Sequence, residues 1–288
     1  MATSPSPSLA VSPAPRVRSA VGRFLQTVIA RAYPRVIGQQ RELSWIFFEI
    51  FLPLMAVAAY VFVYRAIGAP EEYVGFVVLG GAMTAFWMNV LWSMSSQLYW
   101  EKEQGNLALY VMAPNSLMAI LLGMALGGLF ATTLRAVVII GLGSLLFNVH
   151  FTLTSLPALA ATFVLTMVAL YGLGMMSASL FLLLSREAWH LSNLAQEPVY
   201  LLSGFYFPIK SLNFWVAIAA SAIPLTLGLD SMRQLVSPSG ALLGFLPVTT
   251  EIAVLLVLSV TFLIGARSML AYMERRAVRE GRLTESRR

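Results

Sequence analysis

YWEKEQGNLALYVMAP, residues 99–114, is the stretch whose reading decides the fold. Glu101, Lys102, Glu103 and Gln104 separate two very long apolar runs, Gly105 follows, and a short apolar face at Leu107, Tyr110 and Val111 is stopped by Pro114. An acidic first turn suits a helix N-terminus and a proline ends a helix. The stretch therefore predicts a short soluble helix trapped between two membrane spans.

The composition around it agrees. Of 288 residues, 58% are hydrophobic and only 11% charged, and the mean hydropathy is +0.77. That is too little polar surface to coat a soluble globule of this size, so the chain reads as an all-α integral membrane protein. There is no cysteine, and His150 and His190 are the two histidines, so disulfides, thiolate catalysis and multi-histidine metal sites drop out. The net charge of +6 comes mostly from arginines near the two ends, at 16, 18, 23, 31, 35 and 41 and at 267, 275, 276, 279, 282, 287 and 288. Such charges orient a membrane protein and touch lipid headgroups, and nucleic acid is not expected as a partner.

Taken in order, residues 1–20 form a Ser/Pro/Ala-rich tail that cannot bury enough surface to fold and lacks the basic and apolar regions of a signal peptide. Residues 21–45 interleave arginines with Phe24, Leu25, Val28 and Ile29 at helical spacing. This predicts an amphipathic helix on the cytoplasmic headgroups, broken near Pro34. The apolar body, 46–271, holds runs at 46–64, 74–98, 117–149, 156–184, 189–209 and 248–270, each read as a span. Gly123, Gly127 and Gly128 in the third, and Gly172, Gly174, Ser177 and Ser179 in the fourth, predict close helix packing. A basic tail, 272–288, follows.

The run 214–229 is long enough for a seventh span, and charge decides against it. The positive-inside rule wants both arginine-rich ends in the cytoplasm, hence an even number of spans, and six also leave the 99–114 stretch inside. Residues 214–229 then form two short helices dipping into the outer leaflet.

Two patches carry a resemblance. E-x-x-G-x-L followed by a proline after the second span, with Glu101, Glu103, Gly105, Leu107 and Pro114 on or near the pattern, is similar to a signature of type-2 ABC transporter permeases, although Asn106 stands where threonine is common. SGFYFPIKSLNFWVAIAASAIPLTLGLDSMR, residues 203–233, is similar to the same family's exit from the fifth span and its extracellular re-entrant helices, through Gly204, Phe207, Pro208, Pro224, Leu225, Thr226, Asp230 and Arg233. The resemblance implies a coupling helix between spans 2 and 3 that includes Trp100 and docks on a separate ATPase. It also implies two permease copies or homologues working with two nucleotide-binding subunits, which would carry ATP and magnesium. No cofactor is expected on this chain, and no G-x-x-x-x-G-K-[ST] occurs in it. A bacterial-type inner membrane is the expected location.

Charged and aromatic residues at membrane depth supply the candidate pathway. Glu197, beside Gln196 and Pro198, reads either as a wall of the path or as half of a structural pair with Arg135. Glu49 and Glu251 read as interfacial. Trp87, Asn89 and Trp92 make the second span too polar for a face turned wholly to lipid. The expected function is export of an amphipathic or apolar compound. The alternatives are export of a lipid-linked polysaccharide by the same machinery and an ion-coupled secondary transporter. An intramembrane enzyme has no metal pair and no G-x-S-x-G to support it.

Overall fold

In hydrocarbon every backbone polar group must be satisfied within its own segment, and helices do this. The computed structural model describes residues 19–112, 116–184, 187–237 and 243–279, and every regular element among them is helical. Most of the 1–20 tail, Pro114, Arg186 and the end of the basic tail lie outside the described residues.

Helix α1, Ala20–Arg41, begins at Ser19, whose hydroxyl oxygen accepts from the Gly22 amide. It passes through Pro34 without the expected break. The reason lies in α6, Leu117–Phe147, on which α1 packs along its length. A Cβ on Gly123 would stand 2.8 Å from Arg31 Cβ, and one on Gly127 would stand 2.8 Å from the Ala32 carbonyl and 3.0 Å from Arg35 Cβ. The glycines let α1 lie against α6 on both sides of Pro34, and that packing compensates for the missing hydrogen bond. The packing role predicted for them is what the structure shows. The opposite face of α1 leaves Val21, Leu25, Ile29 and Tyr33 exposed.

Helix α2, Leu43–Ala66, carries the first span. Helix α3, Glu72–Met88, runs through a π-helical turn, Asn89–Met94, into α4, Gln97–Glu103. This 32-residue rod is the most enclosed span, with 83% of its apolar window buried against 17% for the first and last spans. At 1.5 Å per residue the rod is about 48 Å long. It overshoots a hydrocarbon core of about 30 Å. Helix α5, Asn106–Met112, folds back from its end. Helix α7, Leu156–Leu184, is the second organising element, and α10, Pro224–Val236, and α11, Val248–Arg279, both pack on it. Gly172 meets Phe262 of α11, and Gly174 meets Val90 of the π turn.

Among the described residues, five helices are long and apolar enough to cross a membrane, and a sixth is reached only if α9, Phe214–Ala220, and α10 count as one bent span. The two meet at 106° across a short break. The span expected at 189–209 is not among the five. Its helix, α8, Glu187–Leu202, has 16 residues and stops before Gly204, where a φ of +67° turns the chain. At about 24 Å it is shorter than the hydrocarbon core.

Candidate functional site

The end of the long rod is a hairpin built on a buried carboxylate. Gly105, at φ +77°, takes the left-handed position after α4, and its amide donates to the Lys102 carbonyl at 3.0 Å. The acidic residues therefore end one helix instead of opening the next, contrary to the expected acidic first turn. Glu101 is 6% exposed and turned inward. Its carboxylate accepts from Tyr110 (2.8 Å), Asn106 (3.1 Å) and Gln97 (3.2 Å), and Arg31 of α1 stands 3.7 Å away. The Arg31 guanidinium also lies 4.3 Å from the Tyr110 ring centre. Leu107 is buried in the core, while Trp100, Glu103, Gln104, Gly105 and Leu109 face outward. A Cβ on Gly105 would meet nothing within 4 Å.

At the other end of the bundle a buried arginine holds residues 203–208. Arg233 of α10 donates to the carbonyls of Gly204 (2.6 Å), Phe205 (2.6 Å), Phe76 (2.8 Å) and Phe207 (3.5 Å). Gly80 of α3 touches the Phe205 carbonyl so closely that a Cβ has no room there. Asp230, one turn earlier, accepts from the Phe245 amide (2.8 Å) and from Gln234 (3.0 Å). Pro224 starts α10, and Pro208 is buried beside the following 3-10 turn, Ile209–Ser211, with Phe207 half-buried. Glu251, expected at an interface, is fully buried and accepts from Ser231 and, at 3.4 Å, from Gln234.

Between these ends lies a cavity of about 800 Å³ walled by α2, α3, the π turn, α6 and the region of Tyr200 and Tyr206. Asn89, Trp92 and Ser93 line it from the π turn, and Glu49 and Arg135, also in its wall, form an ion pair. The pair corrects two expectations: Glu49 has a partner inside the bundle, and Arg135 is joined to it and not to Glu197, which is exposed. Gln196 accepts from the Trp92 indole at 2.9 Å, so it stands behind the wall. Trp87 is buried in the core instead of on the cavity. Arg35 donates to Gln97 (2.9 Å) and to Ser93. Desolvation lowers its pKa, and Tyr171, Glu101 and Glu49 oppose that shift.

The sequence model of the ABC-2 type transporter family matches residues 25–236, well over half of the chain. The chain belongs to that family. It is a transmembrane permease of the ABC transporter class, a transport subunit in a family that typically works with an ABC ATPase. The match takes in α1 through α10 and leaves the last span outside it. No curated protein shows significant sequence similarity to the permease.

Sequence reasoning missed the Glu49–Arg135 pair and the π turn. Glu49 is near a span end by sequence, and only the offset of α6 against α2 brings Arg135 to it. The π turn leaves a weak trace in the polar series Asn89, Ser93, Ser95, Ser96, which suits a segment where regular hydrogen bonding slips.

Proposed function

We propose that this permease is the membrane half of an ATP-driven exporter for an amphipathic or apolar compound. Two copies, or one copy and a homologue, would form the path, and two separate nucleotide-binding subunits would bind ATP and magnesium. The observation that carries this reading is the hairpin at 97–112. It lies past the length of hydrocarbon the rod can occupy, its turn is open on the outside, and Trp100, Glu103 and Leu109 are presented away from the bundle. The inward Glu101 and Leu107 take a different part from the one expected of them. They fix the shape of the handle, and its outer residues make the contact. Pro114, assigned to the same handle, is outside the described residues.

In this mechanism closure of the ATPase pair pushes on the hairpin, the continuous rod carries the displacement, and the cavity beside the π turn changes its access. Asn89 and Trp92 are the pathway residues the geometry favours, with Gln196 positioning Trp92. The α9–α10 pair, bent by 106° and tied to residues 203–208 by Arg233, acts as the re-entrant outer gate. The arginines near both ends support a cytoplasmic side for both termini.

The test is co-purification of the full chain with its ATPase, followed by a screen for compounds that stimulate hydrolysis. Gly105→Trp is expected to reach the membrane in normal amount and to lose the stimulation, because the indole occupies the space where the partner would dock. Full stimulated ATPase activity in that variant would remove the handle from the mechanism. Transport that follows an ion gradient without any ATPase would remove the exporter.

A further inference from the structure

Three of the polar side chains that line the cavity have donors to spare. Asn89 Oδ1 already accepts from the Tyr171 hydroxyl at 3.0 Å, which leaves the side chain its amide protons to give. Ser93 Oγ accepts from Arg35, so its own hydroxyl proton is the group left over. Arg135 is 5% exposed, and Glu49 holds its Nη1. Its Nη2 is buried and has no hydrogen-bond partner among the described residues. A guanidinium nitrogen only donates, and a buried donor without an acceptor is costly. Each of these spare groups is therefore a donor.

The charges lean the same way. Arg135 and Arg35 stand at or behind the wall against one carboxylate, Glu49, and the neighbouring Arg31 and Glu101 offset each other. Apart from the hydroxyls of Thr84 and Thr132, the rest of the wall is apolar or aromatic, including Phe48, Leu52, Met88 and Tyr206, and the volume falls within the roughly 300–1,000 Å³ of ligand sites.

We infer that the cavity takes an amphiphile with a single anionic head, a phosphate ester or a carboxylate. The head sits against Arg135 Nη2, Asn89 Nδ2 and the Ser93 hydroxyl, and the apolar body lies along Phe48, Leu52 and Met88. This rests on the reading of the cavity as part of the cargo path. It narrows the cargo from any amphiphile to an acidic one, whether a membrane lipid or a soluble compound.

The full-length permease in phosphatidylcholine nanodiscs at pH 8 is titrated with 12-bromododecyl phosphate and with 12-bromododecyltrimethylammonium. Tryptophan quenching is followed, and the part lost in Trp92→Phe defines the signal from the cavity. The phosphate is expected to bind at least about tenfold more tightly than the ammonium, the difference that one charge-assisted hydrogen bond makes. Glu49→Gln removes the one carboxylate that opposes an anionic head and should tighten phosphate binding further, a gain that misfolding does not produce. The double variant Glu49→Gln/Arg135→Gln removes both charges together and should lose most of the preference for the phosphate. Equal binding by the unaltered chain, a preference for the ammonium, or weaker phosphate binding in Glu49→Gln overturns the acidic cargo alone. Absence of any Trp92-dependent quenching with either probe overturns the cavity as a cargo site as well. In discs doped with phosphatidic acid, displacement of the phosphate probe identifies the head-group source as a lipid, and its retention identifies a soluble amphiphile.

Discussion

The two ends of this permease are each tied by one buried charge, and they are tied in different ways. At the hairpin end Glu101 is held by side chains of three separate elements: it accepts from Gln97 on its own helix and from Asn106 and Tyr110 on α5, and its charge faces Arg31 of α1 at 3.7 Å. At the other end Arg233 gives its hydrogen bonds to backbone carbonyls, those of Gly204, Phe205, Phe207 and Phe76. Side-chain partners can rotate away and pair again. Backbone carbonyls move only if the chain moves. The hairpin is thus a joint that can change its shape at small cost, and the 203–208 segment is fixed to the rod.

The strongest way to break this contrast is at Arg233. Arg233→Met leaves several buried carbonyls without donors, at about 1–3 kcal/mol each, so a loss of at least about 4 kcal/mol is expected in an unfolding titration in mixed micelles. Arg233→Lys should recover less than half, because a single ammonium cannot span the fork that the guanidinium fills. A loss under about 1 kcal/mol for Arg233→Met would mean that the clamp holds nothing on its own. Gly80→Ala probes the same contact from the rod. Its Cβ falls on the Phe205 carbonyl, a backbone atom with no rotamer to yield, so a loss of about 1–3 kcal/mol is expected by the same titration.

The hairpin should respond less in stability and more in coupling. Glu101→Gln keeps one acceptor for Tyr110 but turns an amide toward donors and gives up the charge opposite Arg31. We expect a loss of about 1–2 kcal/mol, in line with the worth of charge-assisted hydrogen bonds. If the hairpin is the handle, ATPase stimulation in the purified complex falls by more than that loss of stability explains. A variant equally impaired in both would make Glu101 a structural residue only.

How far this contrast was legible in the sequence follows from its physics. The hairpin was visible as an interruption of hydrophobicity, since Glu101 to Gln104 break an apolar run wherever they point. Their direction was not, because whether an acidic group ends or opens a helix depends on the conformation of Gly105. The five long spans were legible because about 20 apolar residues have few other places to go. The span at 189–209 was misjudged in length because Gly204 turns the chain earlier than its hydrophobicity ends. The proline in α1 misled for the opposite reason: a partner helix far away in sequence supplies the support that a local reading cannot see. Arg233 was singled out by resemblance, and its set of carbonyl partners, drawn from residues 76 to 207, has no sequence pattern at all. The cavity pair Glu49–Arg135 was hidden likewise, since each member looks explicable alone.

The smallest expected effect separates shape from bulk at Gly105. Its φ of +77° is a conformation that costs a residue with a Cβ about 1–2 kcal/mol, and asparagine less than alanine. The space beyond it is open, so no clash adds to that cost. Gly105→Ala should therefore lower stability by about 1 kcal/mol and Gly105→Asn by less, both with coupling to the ATPase largely kept. Gly105→Trp carries the same backbone strain as alanine and adds a large ring outside the turn. Its loss of coupling, measured beside alanine's retention, would then come from the surface a partner must approach. If alanine uncouples as fully as tryptophan, the conformation of the turn transmits the force and the outer face of the hairpin does not.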